Sequence, residues 1–349
     1  MNSLLRLLDA NRNRAGEALR TAEDYARFVT ENVAIAGRLK ALRHDLADAT
    51  RLLETGELLR AHRDTAGDVG VPLKTGAEAS RPDMHAVAAA AFRRAAEALR
   101  VLGEAAKTVS GDAAARFEKI RYALYDIEPV ALAAGERRAR LRAARLYVLV
   151  TASLCSTDPV TACREAVAGG ADIIQMREKE MEDGAFLALA ERLRDVCRAG
   201  GALFFVNDRT HIAAIVDADG AHLGQGDLPT CAARRIVGPD RILGRSTSAP
   251  EFAERAAADG ADYIGVGPVF ETKTKEHRRA AGLEYVNWAS SWDGLPWFAI
   301  GGVGRGTIDA VLDAGARAVA ICTAVTMAKD IAAEAAFVKA MISHKGDVR

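Results

Sequence analysis

Residues 146–150 read LYVLV, and seven runs of similar texture follow: ADIIQM at 171–176, ALFFVN at 202–207, GAHL at 220–223, RILGRS at 241–246, DYIGVG at 262–267, PWFAI at 296–300 and AVAIC at 318–322. The runs are short and almost continuously apolar, and Ala-rich stretches with helical spacing separate them, apart from a loop after Phe270. Parallel strands buried on both faces by helices produce this alternation. With strands beginning near Leu146, Asp172, Leu203, Gly220, Ile242, Tyr263, Pro296 and Ala318, the pattern predicts an α/β fold, a (β/α)8 TIM barrel over residues 146–349. Its functional groups should lie at the C-terminal ends of the strands.

Residues 1–130 have a different texture, rich in Ala, Leu, Arg and Glu with apolar spacing of three and four. This predicts an all-α bundle with helices at about 3–29, 31–53, 84–109 and 112–128. Arg14-Ala15-Gly16-Glu17-Ala18-Leu19-Arg20 recurs as Arg94-Ala95-Ala96-Glu97-Ala98-Leu99-Arg100, six identities in seven at an offset of 80. Two helical hairpins related by a pseudo-twofold axis follow from such a repeat. On a helical wheel, Ala15, Ala18, Leu19 and Ala22 form one face and Arg14, Glu17 and Arg20 the opposite one, which reads as an outward set of ion pairs or as a ligand-facing surface. The segment 62–82 holds Arg63, Asp64, Asp68, Glu78 and Arg81 and is long enough for a functional loop. Residues 131–145 read as a linker, and the cluster Arg137, Arg138, Arg140, Arg142 and Arg145 as its solvated face.

Composition excludes several classes. No apolar run approaches the ~18 residues of a membrane span, so no membrane partner is expected. Basic and acidic residues balance at 47 each, against the positive excess of nucleic-acid binders. MNSLLRLLDANRNR lacks the apolar core of a secretory signal, which makes a cytoplasmic location the expectation. Five cysteines without a CxxC pair fit neither a disulfide framework nor a zinc site. Trp288, Trp292 and Trp297 suit packing or a subunit contact, leaving a homo-oligomer open.

The strand ends are unusually polar: Gln175-Met176-Arg177-Glu178-Lys179 after strand 2, Asn207-Asp208 after strand 3, His222 to Asp227 after strand 4, Gly244-Arg245-Ser246 after strand 5 and Thr272-Lys273-Thr274-Lys275 after strand 6. Arg177, Lys179 and Lys275 can surround a polyanion. Asp208 and Asp227, on adjacent strand ends, can hold one Mg²⁺ that takes phosphate oxygens as further ligands. Gly301-Gly302 and Cys322-Thr323 follow strands 7 and 8, where barrels bind a monophosphate through backbone N–H groups. Each element alone has a plain alternative: Gly-Gly a simple turn, Asn-Asp-Arg a helix cap, His222 a core histidine.

Together, QMREK, ND, HLGQGD, GRS, GADYIGVGPVF with TKTK, AIGGV and ICTAV stand in the order of thiamine phosphate synthase, which residues 146 to about 343 resemble. The resemblance implies that Gln175, Arg177, Lys179, Asn207, Ser246 and Lys275 bind hydroxymethylpyrimidine diphosphate. It implies that Asp208 and Asp227 bind Mg²⁺, and that Thr272, Thr274, Gly302, Cys322 and Thr323 bind the thiazole phosphate. Arg177, Lys179, Lys275 and Ser246 are the residues expected to assist catalysis. Residues 1–130 resemble the helical domain fused ahead of this synthase in some bacteria, a domain associated with hydroxymethylpyrimidine phosphate kinase activity, although no GxxxxGK[ST] loop is present.

The implied reaction is a transfer in thiamine biosynthesis: thiazole nitrogen displaces pyrophosphate from the pyrimidine methylene, and thiamine phosphate forms. A thiazole tautomerase on the same barrel would keep the phosphate site but needs neither the cations nor the carboxylates. A phosphate-sensing barrel without catalysis, joined to an interaction module, is the alternative from another class.

Overall fold

The computed structural model describes residues 2–53, 61, 80–271 and 280–346. The chain divides into two compact units, Met1–Glu136 and Arg137–Arg349.

The first unit is built from α1 (Asn2–Phe28), α2 (Val33–Arg51), α3 (Met84–Ala106) and the greater part of α4 (Gly111–Ala143). Ala15, Leu19 and Ala22 of α1, Leu39 and Leu46 of α2, Phe92, Ala95 and Leu99 of α3, and Phe117 and Leu124 of α4 form one core. The two copies of the repeat pack against each other, α1 on α3, through alanine-rich faces that let the backbones approach. Equivalent caps start the second helix of each hairpin: the Asn32 side chain accepts from Ile35 N at 3.1 Å, and Ser110 Oγ from Ala113 N at 3.2 Å. Each satisfies one of the amides that a helix start leaves without a partner. Arg14, Glu17 and Arg20 are exposed. Arg63, Asp64, Asp68 and Glu78 of the expected functional loop lie outside the described residues; Arg81 is within them and donates to Ser80 O at 2.9 Å.

The second unit contains β1 (Leu146–Val150), α5 (Pro159–Ala168), β2 (Ile173–Met176), α6 (Asp183–Gly200), β3 (Leu203–Asn207), α7 (Thr210–Ile215), β4 (Gly220–Leu223) and α8 (Thr230–Val237). It continues with β5 (Ile242–Thr247), α9 (Pro250–Ala258), β6 (Tyr263–Val266), α10 (Gly282–Ser291), β7 (Trp297–Ile300), α11 (Ile308–Asp313), β8 (Val319–Ile321), α12 (Thr323–Thr326) and α13 (Ile331–Gly346). The strands pair in parallel in sequence order and close, β8 pairing β1 with Tyr147 opposite Ala320. The expected TIM barrel is therefore present, with each strand start within one residue of expectation. Among the described residues no helix is long and apolar enough to cross a membrane.

Strand alternation splits the barrel's apolar residues into two layers. Leu146, Val148, Val150, Ile174, Met176, Phe204 and Val206 face the helices. Tyr147, Ile173, Leu203, Phe205, Ile242, Tyr263 and Phe298 fill the interior. Gly244 makes room for this filling, because a Cβ there would stand 2.1 Å from Tyr263 Cζ.

The expected linker requires correction, since α4 continues without a break through residues 131–143. Its basic face is only partly solvated: Arg142 is exposed, but Arg137 and Arg138 are not. The Arg137 guanidinium donates to Asp219 at 3.1 Å and Asp240 at 2.6 Å, and Arg138 to Asp262 at 2.7 Å. Asp172, Asp219 and Asp262 each stand one residue before an even-numbered strand and accept from the backbone of the preceding strand, at Leu146, Phe204 and Leu243. Leu141 joins the interior cluster, so residues 137–144 form the floor of the barrel. The local sequence resembled a polar linker because the carboxylate partners of Arg137 and Arg138 lie 80 or more residues away.

Candidate active site

The sequence-predicted residues that fall within the described chain occupy one end of the barrel. Gln175 is buried at the end of β2, and its Nε2 donates to Tyr147 Oη at 2.5 Å. That hydroxyl lies 2.9 Å from Tyr263 Oη, which is 2.9 Å from His222 Nδ1. His222 Nε2 in turn lies 2.9 Å from Ser246 Oγ. Five side chains on β2, β1, β6, β4 and β5 thus form one hydrogen-bonded chain inside the barrel. Both phenols have pKa values pushed well up by burial, so they stay neutral and able to donate. Tyr147 and Tyr263 were missed in the sequence because aromatic residues inside apolar strands read as core. A hydroxyl aimed into an interior that must satisfy it was the available signal. His222, expected as a core histidine, is buried with both ring nitrogens engaged.

Beside this chain stands a charged rim. Lys179 Nζ bonds Asp208 Oδ2, and the Asp208 carboxyl is within hydrogen-bond reach of Asp227. Asp208 takes a left-handed backbone, φ 60°, which turns the chain out of β3 just after the buried Asn207. Its amide donates to His222 O at 2.9 Å, tying the ends of β3 and β4 together. Asp227 Oδ2 accepts from Gly224 N at 2.6 Å. Desolvation and contact with Asp227 raise the Asp208 pKa against the pull of Lys179. Asp227 lies lower: its own desolvation is outweighed by hydrogen bonds from Asp208 and the Gly224 amide and by the charges of Lys179 and Arg245. Two carboxylates in contact require a shared proton or a cation between them.

The hard oxygen donors of Asp208 and Asp227 suit Mg²⁺. Among the described residues no group of three His, Cys, Asp or Glu side chains converges on a metal position.

Across the barrel mouth, Gly301 and Gly302 have φ values of 101° and 69°. A Cβ on Gly302 would meet Phe270 Cβ at 2.7 Å, so this turn admits only glycine without rearrangement. Thr307 Oγ1 donates to Gly302 O at 2.8 Å and holds the turn. Cys322 and Thr323 follow β8, with Thr323 exposed. Burial pushes the Cys322 thiol up, partly offset by the nearby charge of Arg177, which makes thiolate chemistry there unfavourable. Arg177 is fixed through its backbone, its amide donating to Val150 O and its carbonyl accepting from Thr151 Oγ1 at 2.8 Å. Thr272, Thr274 and Lys275 lie outside the described residues.

Comparison with known proteins agrees with these observations. A family model described as thiamine monophosphate synthase matches residues 146–325, and a model of the ThiD2 family matches residues 6–130. A thiamine-phosphate synthase of Nostoc sp. is 43% identical over 324 residues, covering 93% of this chain and 90% of its own. One of Rhodopirellula baltica is 39% identical, covering 91% of this chain and 87% of its own. A solved structure, thiamine phosphate pyrophosphorylase of Pyrococcus furiosus, is 34% identical with a TM-score of 0.55, covering 59% of this chain and 98% of that one. By overall similarity, by the matched barrel and by the order of its strand-end motifs, the chain belongs to the thiamine-phosphate synthase family, a family of transferases.

Proposed function

We propose that the barrel condenses hydroxymethylpyrimidine diphosphate with thiazole phosphate, releasing pyrophosphate, and that residues 146–349 carry this transfer while residues 1–130 serve a separate role. The observation that carries this reading is the junction of a buried polar chain, Gln175 to Ser246, with the Lys179, Asp208 and Asp227 rim.

Gln175 and Ser246 offer polar groups to the edge of a flat heterocycle, and the Tyr147, Tyr263 and His222 links between them fix their orientation. Asn207 lies beside them on β3. Lys179 and Arg177, with Lys275, supply the charge a diphosphate needs, while Gly302, Cys322 and Thr323 offer close backbone approach to a monophosphate. Asp208 and Asp227 would hold Mg²⁺. Bound there, the ion would offset charge developing on the departing pyrophosphate.

The thiazole nitrogen has a free lone pair, so the chain needs no general base. This agrees with a site whose tyrosines stay neutral and whose histidine is already bonded through both nitrogens. The Lys179 ammonium and Arg177 guanidinium stabilise the leaving group without moving a proton. Incubation of the intact chain with both substrates and Mg²⁺ should yield thiamine phosphate and pyrophosphate in equal amounts. Thiazole isomerisation without pyrophosphate release would support the tautomerase reading instead.

A further inference from the structure

Asn207-Asp208-Arg209 has the plain reading of a helix cap, and the backbone of Arg209 does start α7, its carbonyl accepting from Ala213 N at 3.1 Å. The Arg209 side chain makes no capping bond. Its guanidinium reaches instead to the chain that joins β2 to α6. Nη2 donates to Met181 O, Nη1 donates to Asp183 at 2.8 Å, and Cζ lies 4.4 Å above the ring of the fully buried Phe186. His211 Nε2 stands 3.3 Å from the other oxygen of Asp183. One stacked face and two edge acceptors give the planar fork a single orientation, and the side chain is only 18% exposed.

The chain held in this way carries the rim cations. Residues 177–182 lie between the end of β2 and the start of α6. Upstream they are tied to the loop after β1: Arg177 N donates to Val150 O at 2.9 Å, Thr151 Oγ1 to Arg177 O at 2.8 Å and Ala152 N to Glu178 Oε1 at 2.5 Å. Downstream they are tied to Arg209 through Met181 and Asp183. Lys179 lies between the two anchors with its side chain half-exposed, and its Nζ bonds Asp208, the residue next to Arg209.

We propose that Arg209 is a positioning residue for diphosphate binding: without touching substrate, it fixes the 177–182 segment so that Lys179 is held where the diphosphate binds. The inference rests on the diphosphate site proposed above. A lysine presents its charge on a flexible four-carbon stem. Anchored on both sides, Lys179 gives up less freedom on binding than it would in a segment tied only upstream.

Calorimetric titration of the intact chain with pyrophosphate and Mg²⁺ tests this in a double-mutant cycle. Arg209→Gln should weaken pyrophosphate about tenfold when Lys179 is present, and by no more than about twofold in Lys179→Gln, which is itself weakened. A merely structural role would lower affinity equally in both backgrounds. The KM for thiazole phosphate should stay constant. Asp183→Ala, at a side chain 66% exposed, should repeat the pattern at about threefold, and carries the cycle if Arg209→Gln does not fold. Equal losses in the two backgrounds, or no loss in either, would overturn the positioning role. Affinity is read here without turnover, so a chain that binds pyrophosphate in this Arg209-dependent way yet forms no thiamine phosphate would overturn the proposed reaction and uphold the role of Arg209.

Discussion

The hydroxyls of Tyr147 and Tyr263 lie 2.9 Å apart in the barrel interior, joining Gln175 on one side to His222 on the other. Neither hydroxyl is placed to reach solvent, so their value lies in orientation. Tyr147→Phe keeps the ring and removes the link to Gln175. A neutral hydrogen bond contributes about 1 kcal/mol net, so the KM for the pyrimidine diphosphate should rise roughly fivefold while that for thiazole phosphate stays constant. Steady-state kinetics with each substrate varied checks this.

Removing either rim carboxylate should be costlier. Asp208→Ala and Asp227→Ala should each lower turnover by about a hundredfold or more, through lost stabilisation of the leaving group. Wild-type activity should also vanish in EDTA and return with added Mg²⁺. Full activity of both variants in EDTA would remove the metal from the proposed reaction.

At Gly302 a side chain faces both a left-handed backbone and Phe270 at 2.7 Å. Gly302→Val should chiefly raise the KM for thiazole phosphate and cost at least ~1 kcal/mol of stability. A change confined to the pyrimidine substrate would contradict the division of the site.

The barrel floor predicts a loss of stability without a loss of chemistry. Arg138 and Asp262 are 9% and 11% exposed. Arg138→Ala leaves that carboxylate with Arg234 and the Leu243 amide, so the cost falls below that of a buried charge left without a partner, at about 1–2 kcal/mol. Thermal unfolding should show it, with kinetic constants per folded enzyme unchanged.

Acid should weaken the same region. Partial burial would raise the Asp217 carboxyl, but Arg241, Arg137 and Arg198 hold it below its ordinary value of 3.8. A carboxyl lowered on folding adds stability above its unfolded pKa, and this is lost as pH falls through the folded value. Stability measured between pH 5 and about pH 2 should therefore fall less steeply in Asp217→Asn.

The sequence made the strands legible because parallel strands buried on both faces must be apolar throughout, as in LYVLV and IIQM. The charged strand ends stood out against that background. Relationships closed by distant chain were not visible: Tyr147 meets Tyr263 across 116 residues, and Arg138 meets Asp262 across 124. The wheel positions of Arg14 and Glu17 followed from local periodicity alone.

The floor also bears on how the chain can be divided. The matched synthase span begins at Leu146 and ends at residue 325, yet Leu141 belongs to the barrel interior, and Ile331, Ala335, Val338 and Ile342 of α13 belong to its outer core. A fragment cut to the matched span would expose an open base with Asp172, Asp217, Asp219, Asp240 and Asp262 stripped of Arg137, Arg138 or Lys339. The smallest self-sufficient barrel begins inside a helix that also completes the preceding unit's core. A cut between residues 136 and 137 keeps the core residues of both units but leaves each with a new helix end.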